Sequence, residues 1–191
     1  MDVLILNGAL AGDAELDGVE AMLRRELSAA GCRSDSVVLR STPIAYCQGC
    51  FECWVKTPGM CKTQDAGRDL AAALIRSDLL VLLTPITFGG YSSEIKKALD
   101  RSIGLVLPFF TRIEGEVHHR PRYDRYPALL AVGVLPEPRA EEERIFQALV
   151  ARNARNMHSP WHAVRVLYRG EDGPTRLELI RPLLEQIGRA A

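Results

Sequence analysis

Leu79-Leu80-Val81-Leu82-Leu83-Thr84-Pro85-Ile86-Thr87-Phe88-Gly89-Gly90-Tyr91 decides the architecture. Its first five residues are apolar with no polar alternation, which predicts a strand buried on both faces, as in a parallel sheet. Pro85, Gly89 and Gly90 then break the run into a loop. Ser92 or Ser93 can cap a following helix, Glu94 to Ile103, with Ile95, Ala98 and Leu99 on one face.

The same alternation extends in both directions. Val3-Leu4-Ile5-Leu6 predicts a first strand ended by Asn7-Gly8. Leu16, Val19, Met22, Leu23 and Leu27 recur at helical spacing, with Gly31 as the stop. Ser36 to Leu39 is a weaker, more polar strand suited to a sheet edge. Asp65 caps a helix through Leu70, Leu74 and Ile75. Residues 104–126 read as irregular, Ala128–Leu135 as a fourth strand, 139–156 as a helix, Val164–Tyr168 as a fifth strand and about Thr175–Ile187 as a last helix. Strands alternating with helices imply an α/β domain, 1–191, with a five-stranded parallel sheet of order 2-1-3-4-5. Its ligand crevice would lie at the carboxyl ends of strands 1 and 3. Residues 7–15, 40–64, 84–92 and 134–139 all fall at that edge.

Composition excludes several classes. Apolar residues make up 47% and charged residues 25%, and 24 Lys plus Arg balance 24 Asp plus Glu. A zero net charge argues against a nucleic-acid binder, and no apolar run approaches a membrane span. Met1 leads almost directly into a strand without a secretory pattern, so a cytoplasmic location is expected.

Four of the five cysteines fall in the stretch Cys47-Gln48-Gly49-Cys50-Phe51-Glu52-Cys53-Trp54-Val55-Lys56-Thr57-Pro58-Gly59-Met60-Cys61. Gly49, Pro58 and Gly59 let the backbone turn tightly, so the sulfurs can converge. The spacing suits an iron–sulfur centre, zinc, a redox dithiol or a disulfide, and does not choose among them. A structural disulfide framework suits a reducing compartment least. Cys32, after Gly31, reads as a small buried filler.

Thr84-Pro85-Ile86-Thr87-Phe88, Ser92-Ser93-Glu94-Ile95-Lys96 and Leu99-Asp100-Arg101 resemble the flavin loop and following helix of the NADPH-dependent FMN reductase family, whose members are flavodoxin-like quinone and flavin reductases. Cys47 to Cys61 resembles the compact cysteine motif of its iron–sulfur flavoprotein branch. The resemblance implies a flavodoxin-like three-layer sandwich that binds FMN. Asn7, Gly8, Pro85, Ile86, Thr87, Phe88, Gly89 and Tyr91 would be the cofactor-binding residues. Cys47, Cys50, Cys53 and Cys61 would ligate a possible [4Fe-4S] cluster. Asp100 and Arg101 would fix the helix and subunit contacts. The implied activity moves electrons from NAD(P)H through flavin to a quinone, flavin or iron–sulfur acceptor, in a homodimer or tetramer. No side-chain acid or base is required, so no catalytic residue is named. The alternatives are an electron carrier without NAD(P)H turnover and a flavin-free thiol sensor or interaction module.

Two stretches resist this reading. The first loop, Asn7 to Glu15, lacks the family's hydroxyls and cation, and Asp13, Glu15 and Asp17 stand where a phosphate prefers positive charge. Backbone N–H groups can still hold an anion there, and Gly8 and Gly12 allow close approach. In Gly115 to Tyr123, His118 and His119 would point to opposite sides if extended, so both would rarely ligate one ion. Subunit contact is the expected role of this segment. A nucleotide phosphate site using His119, Arg120 and Arg122 is the minor alternative.

Overall fold

The structure, a computed structural model, describes residues 1–176, 178 and 182. The chain runs β1 (Asp2–Asn7), α1 (Ala14–Ala29), β2 (Arg33–Val38), α2 (Glu52–Val55), α3 (Ala66–Arg76), β3 (Leu79–Pro85), α4 (Ser93–Arg101), β4 (Val106–Ile113), β5 (Glu116–Pro121), β6 (Ala128–Leu135), α5 (Ala140–Asn156) and β7 (His162–Tyr168). The helix expected from about Thr175 to Ile187 lies mostly outside the described residues. No helix among the described residues is long and apolar enough to cross a membrane.

Five parallel strands form one sheet in the order β2-β1-β3-β6-β7. The expected order changes only in its labels, because β4 and β5 are an extra hairpin that the sequence reading treated as irregular. Pro108 misled it. The β4–β5 register shifts between Val106 and Phe110, so the proline falls where the ladder is interrupted and its missing N–H is not needed. Glu114 and Gly115 close the hairpin with φ of 49° and 85°, the left-handed pair of a tight two-residue turn.

Burial follows the pleat. Val3, Ile5, Leu79, Val81, Leu83, Val132 and Val134 pack on one face with the apolar stripe of α1, Leu16, Val19, Met22, Leu23 and Leu27. Leu4, Leu6, Leu80, Leu82, Leu129 and Ala131 pack on the other with side chains of α3, α4 and α5. All seven residues of β3 are buried.

Two contacts fix what surrounds the strand ends. Gly8 N–H donates to Leu83 O at 2.7 Å, and a Cβ on Gly8 would lie 2.4 Å from Ile95 Cγ1 and 2.7 Å from Ser92 Oγ. Asp65 caps α3 through Gly67 N–H and also accepts both terminal nitrogens of Arg101, at 2.7 and 2.8 Å. The Arg101 side chain is 1% exposed. Arg101's hydrogen bonds, helped by Ala45 and Gly67 N–H, hold the Asp65 carboxyl down at about 2.

Both contacts are testable. Gly8→Ala is expected to cost about 2 kcal/mol through overpacking, lowering Tm by roughly 4–8 °C for a chain of this size in a thermal melt. Asp65 is depressed in the folded state, so its stabilisation is complete above the ordinary carboxylate pKa and is lost as pH falls from about 4 towards 2. Urea midpoints of wild type and Asp65→Asn should differ by a constant amount above pH 5 and converge across that window. A gap that does not shrink at all between pH 5 and pH 2 would show that the pair does not act through ionisation.

Candidate functional site

Thr87 and Gly90 exchange two backbone hydrogen bonds, 3.0 and 2.9 Å, at the carboxyl end of β3. They enclose Phe88 and Gly89, both left-handed with φ of 51° and 74°. Glycine adopts this conformation freely, whereas a side chain there costs about 1–2 kcal/mol. Yet Phe88 occupies it with 94% of its surface exposed. Gly89 is needed for a second reason: a Cβ there would sit 2.7 Å from Ile145 Cγ2, so the turn lies close against α5.

The remaining expected residues stand behind this turn. Pro85 and Ile86 are buried, and Ile86 N–H donates to Val134 O at 2.9 Å. The Tyr91 ring meets Phe146 edge-on at 5.6 Å, and its hydroxyl accepts from Asn153 Nδ2 at 3.2 Å. Burial pushes Tyr91 up to about 12, which keeps it a neutral structural phenol. Asn7 is fully buried; its Nδ2 donates to Asp17 at 3.1 Å and Glu20 at 2.7 Å, and its Oδ1 accepts Ala9 N–H at 2.8 Å. Of the eight residues, Thr87 and Phe88 expose their side chains at this edge, while Pro85, Ile86 and Tyr91 form the wall that supports them.

The acids of the first loop are paired. Arg169, just after β7, contacts Asp13 at 2.7 Å and Glu15 at 3.1 Å, Arg176 also contacts Glu15, and Arg40 contacts Asp17 at 2.7 Å. Burial alone would raise Glu15, but Gly170 N–H and the two guanidiniums outweigh it and lower the carboxyl. The sequence reading missed Arg169 and Arg176. The available signal was that β7 ends at the same sheet edge as β1.

The cysteine segment builds a different site. Cys47, Cys50, Cys53 and Cys61 all line one cavity of about 430 Å³, bounded also by α4, the start of β4 and the end of α5. No residue of 7–15 or 84–92 lines it, so this cavity is distinct from the turn at Phe88. Trp54 anchors the turn: its Nε1 donates to Ile103 O and Val106 O at 3.2 and 2.9 Å, and its ring lies between Phe51, stacked at 5.2 Å, and His119 at 5.0 Å.

All five cysteines are free thiols. Among the described residues no three His, Cys, Asp or Glu groups gather closely enough for a single ion. A [4Fe-4S] cube takes one thiolate at each of four separate irons, so it asks for a thiol-lined cavity and not for sulfurs meeting at a point. The four cysteines fit that requirement. Burial and the neighbouring sulfurs push the Cys53 thiol up. Burial also pushes Cys61 up, but the Thr63 N–H and the Arg101 charge outweigh it and leave this thiol lowered.

The hairpin's polar groups are largely occupied. His118 and His119 lie on opposite faces, paired with Thr111 and Phe110 across the ladder. His118 Nε2 contacts Glu116 at 3.2 Å, and Glu116 also binds Arg155 at 3.0 Å. His119 Nδ1 donates to Leu107 O at 2.8 Å, Arg122 Nε to Gly104 O at 2.8 Å and Arg120 Nε to Phe110 O at 3.2 Å. Phe109 and Phe110 are each 62% exposed.

Residues 1–135 match the family model described as NADPH-dependent FMN reductase. An iron-sulfur flavoprotein of Methanocaldococcus jannaschii is 27% identical over 107 residues, which cover 54% of each chain. The chain thus spans about half the length of that curated relative. In fold it is similar to an NAD(P)H:quinone oxidoreductase from Methanothermobacter marburgensis, with a TM-score of 0.66, 15% identity and coverage of 99% of this chain and 98% of the other. It is also similar to an FMN-dependent NADH-azoreductase from Bacillus anthracis in complex with FMN, with a TM-score of 0.63, 10% identity and coverage of 99% and 96%. The structural likenesses establish the flavodoxin-like fold, and the family model, covering well over half of the sequence, establishes kinship: the chain belongs to the NADPH-dependent FMN reductase family.

Proposed function

We propose that this protein is an FMN-dependent oxidoreductase that takes electrons from NAD(P)H and passes them to a small-molecule acceptor. The observation that carries this reading is Phe88, an aromatic ring held in solvent by a left-handed turn at the switch point of the sheet. Keeping so large an apolar side chain exposed in an unfavourable backbone conformation makes sense for stacking on a flat partner. FMN, when bound, would supply the hydride and electron chemistry. The chain's part would be to bind and orient: Phe88 would cover one face of the ring, Thr87 and Gly89 would line its edge, Asn7 and Gly8 would shape the first loop, and Pro85, Ile86 and Tyr91 would hold the wall.

The convergence of four thiols on one cavity favours an addition to this reading, a [4Fe-4S] cluster held by Cys47, Cys50, Cys53 and Cys61. The relative in Methanocaldococcus jannaschii, named an iron-sulfur flavoprotein, supports it. A second copy of the chain would complete the assembly, because Phe88, Phe109 and Phe110 leave apolar surface exposed.

The deciding experiment is the visible spectrum of protein purified without oxygen, with iron and acid-labile sulfide measured on the same sample. Resolved flavin bands are expected, with four irons per chain where the cluster is loaded. Colourless protein that ignores added FMN would refute the flavin reading, and flavin bands without iron after reconstitution would refute the cluster alone. Phe88→Ala should weaken FMN about tenfold, the loss of roughly 1.4 kcal/mol of stacking, without lowering Tm. Arg169→Ala, which frees Asp13 and leaves Glu15 to Arg176, should also weaken FMN several-fold, and more at low salt than at high salt.

A further inference from the structure

Arg101 was expected to serve the helix and subunit contacts, but its surroundings give it another task. A guanidinium has five N–H groups. Nη1 donates to Ala45 O at 2.8 Å and Asp65 Oδ2 at 2.7 Å; Nη2 donates to Asp65 Oδ1 at 2.8 Å and Thr63 O at 3.4 Å. Ala45 precedes the first cysteine of the segment and Thr63 follows the last. One planar fork therefore closes the base of the loop that carries Cys47, Cys50, Cys53 and Cys61. The fifth N–H, on Nε, is buried without a hydrogen-bond partner, in a residue that lines the thiol cavity. Such a donor is costly to leave unsatisfied.

We propose that Arg101 is the positioning residue of the cysteine cavity: it clamps both ends of the segment so that the four sulfurs are arranged before any cluster is loaded, and it reserves its Nε–H for an anionic sulfur of the loaded site. The sulfur half rests on the cluster reading above, whereas the clamp does not. Lysine cannot replace this arginine. An ammonium keeps the charge but offers three donors from one point, so it cannot bridge Ala45 O, Thr63 O and both Asp65 oxygens together. The other cations of the cavity, Lys62 and Lys96, are more exposed and pair with Glu52 and Asp100, which leaves Arg101 as the buried one among these three.

The test compares wild type, Arg101→Lys and Arg101→Gln by hydrogen exchange on iron-free protein, and wild type and Arg101→Met by redox titration after anaerobic reconstitution. Exchange over residues 46–63 should quicken at least tenfold in both variants while β1, β3 and β6 keep their protection, which shows that the sheet still folds. Unchanged exchange in the segment, or rescue by lysine, would overturn the clamp. Should Arg101→Gln lose sheet protection as well, Asp65→Asn, which removes the clamp's anchor and keeps the arginine, must loosen residues 46–63 selectively or the clamp falls. In loaded protein, Arg101→Met, which removes both the N–H and the charge, should lower the cluster's midpoint potential relative to wild type, since hydrogen bonds to sulfur and positive charge favour the reduced state. A potential that does not move would overturn the sulfur role, as would a wild-type protein that takes up no iron. The exchange result stands apart from both.

Discussion

Burial of β3 on both faces is the constraint from which the arrangement follows. None of Leu79 to Pro85 reaches solvent, so the strand needs a parallel neighbour on each side and helices above and below. Its companions β1 and β6 meet the same demand. Because β1 hands the chain to α1 on one face and β3 hands it to α4 on the other, the two exits diverge and a crevice opens between them. The close approach of Gly8 to Ile95 and Ser92 fixes the narrow end of that crevice. The exposed turn at Phe88 sits on its rim, braced by Ile86, Tyr91 and Ile145.

The cysteine segment obeys a different logic, since it adds no strand to the sheet and buries few large side chains. It is held by directed bonds: the Arg101 fork at its base, Trp54 on the carbonyls of Ile103 and Val106, and Arg68 on the carbonyls of Cys61 and Lys62 at 2.6 and 2.9 Å. A buried ion pair such as Arg101–Asp65 gains little over a packed apolar pair, because the desolvation of both charges opposes their attraction, although breaking it leaves one charge uncompensated. What it supplies is one geometry for a loop that hydrophobic burial would leave loose. That would suit the proposed role of presenting sulfurs, where position matters more than stability.

The parts legible in the sequence were those that local pattern controls. The apolar runs of β3 and β6 mark strands, and the heptad-like stripe of α1 marks the buried face that packs on them. Asp65 and Ser92 announce their helix starts and do cap them. The hairpin was not legible, because a proline and a run of histidines and arginines hide a ladder whose bulge absorbs Pro108. The spacing of the four cysteines suggested sulfurs meeting at one point; the structure lines one cavity with them without such a close group among the described residues. The cavity's other walls come from far along the chain, Arg101 lying 36 residues beyond Asp65 and the hairpin's His119 65 residues beyond Trp54, in contacts no motif records. Of the flavin-loop residues, composition could not separate Phe88, which faces out, from Tyr91, which packs inward on Phe146.

The acidic first loop bears on how the proposed flavin site would hold its ligand. Asp13, Glu15 and Asp17 looked hostile to a phosphate, and each has a guanidinium against it. Pairing removes the repulsion without creating an attractive site, since a cation already held by two carboxylates has little left for a third anion. Two of the backbone donors are also spent, Gly8 N–H on Leu83 O and Ala9 N–H on Asn7 Oδ1. A flavin bound at this edge would therefore be gripped by its ring more than by its phosphate. This places the weight of recognition on the Phe88 turn and on whatever second surface closes over it. Such a site binds through stacking and burial, which depend weakly on salt, and it leaves the flavin freer to exchange than one anchored by a dedicated phosphate cradle.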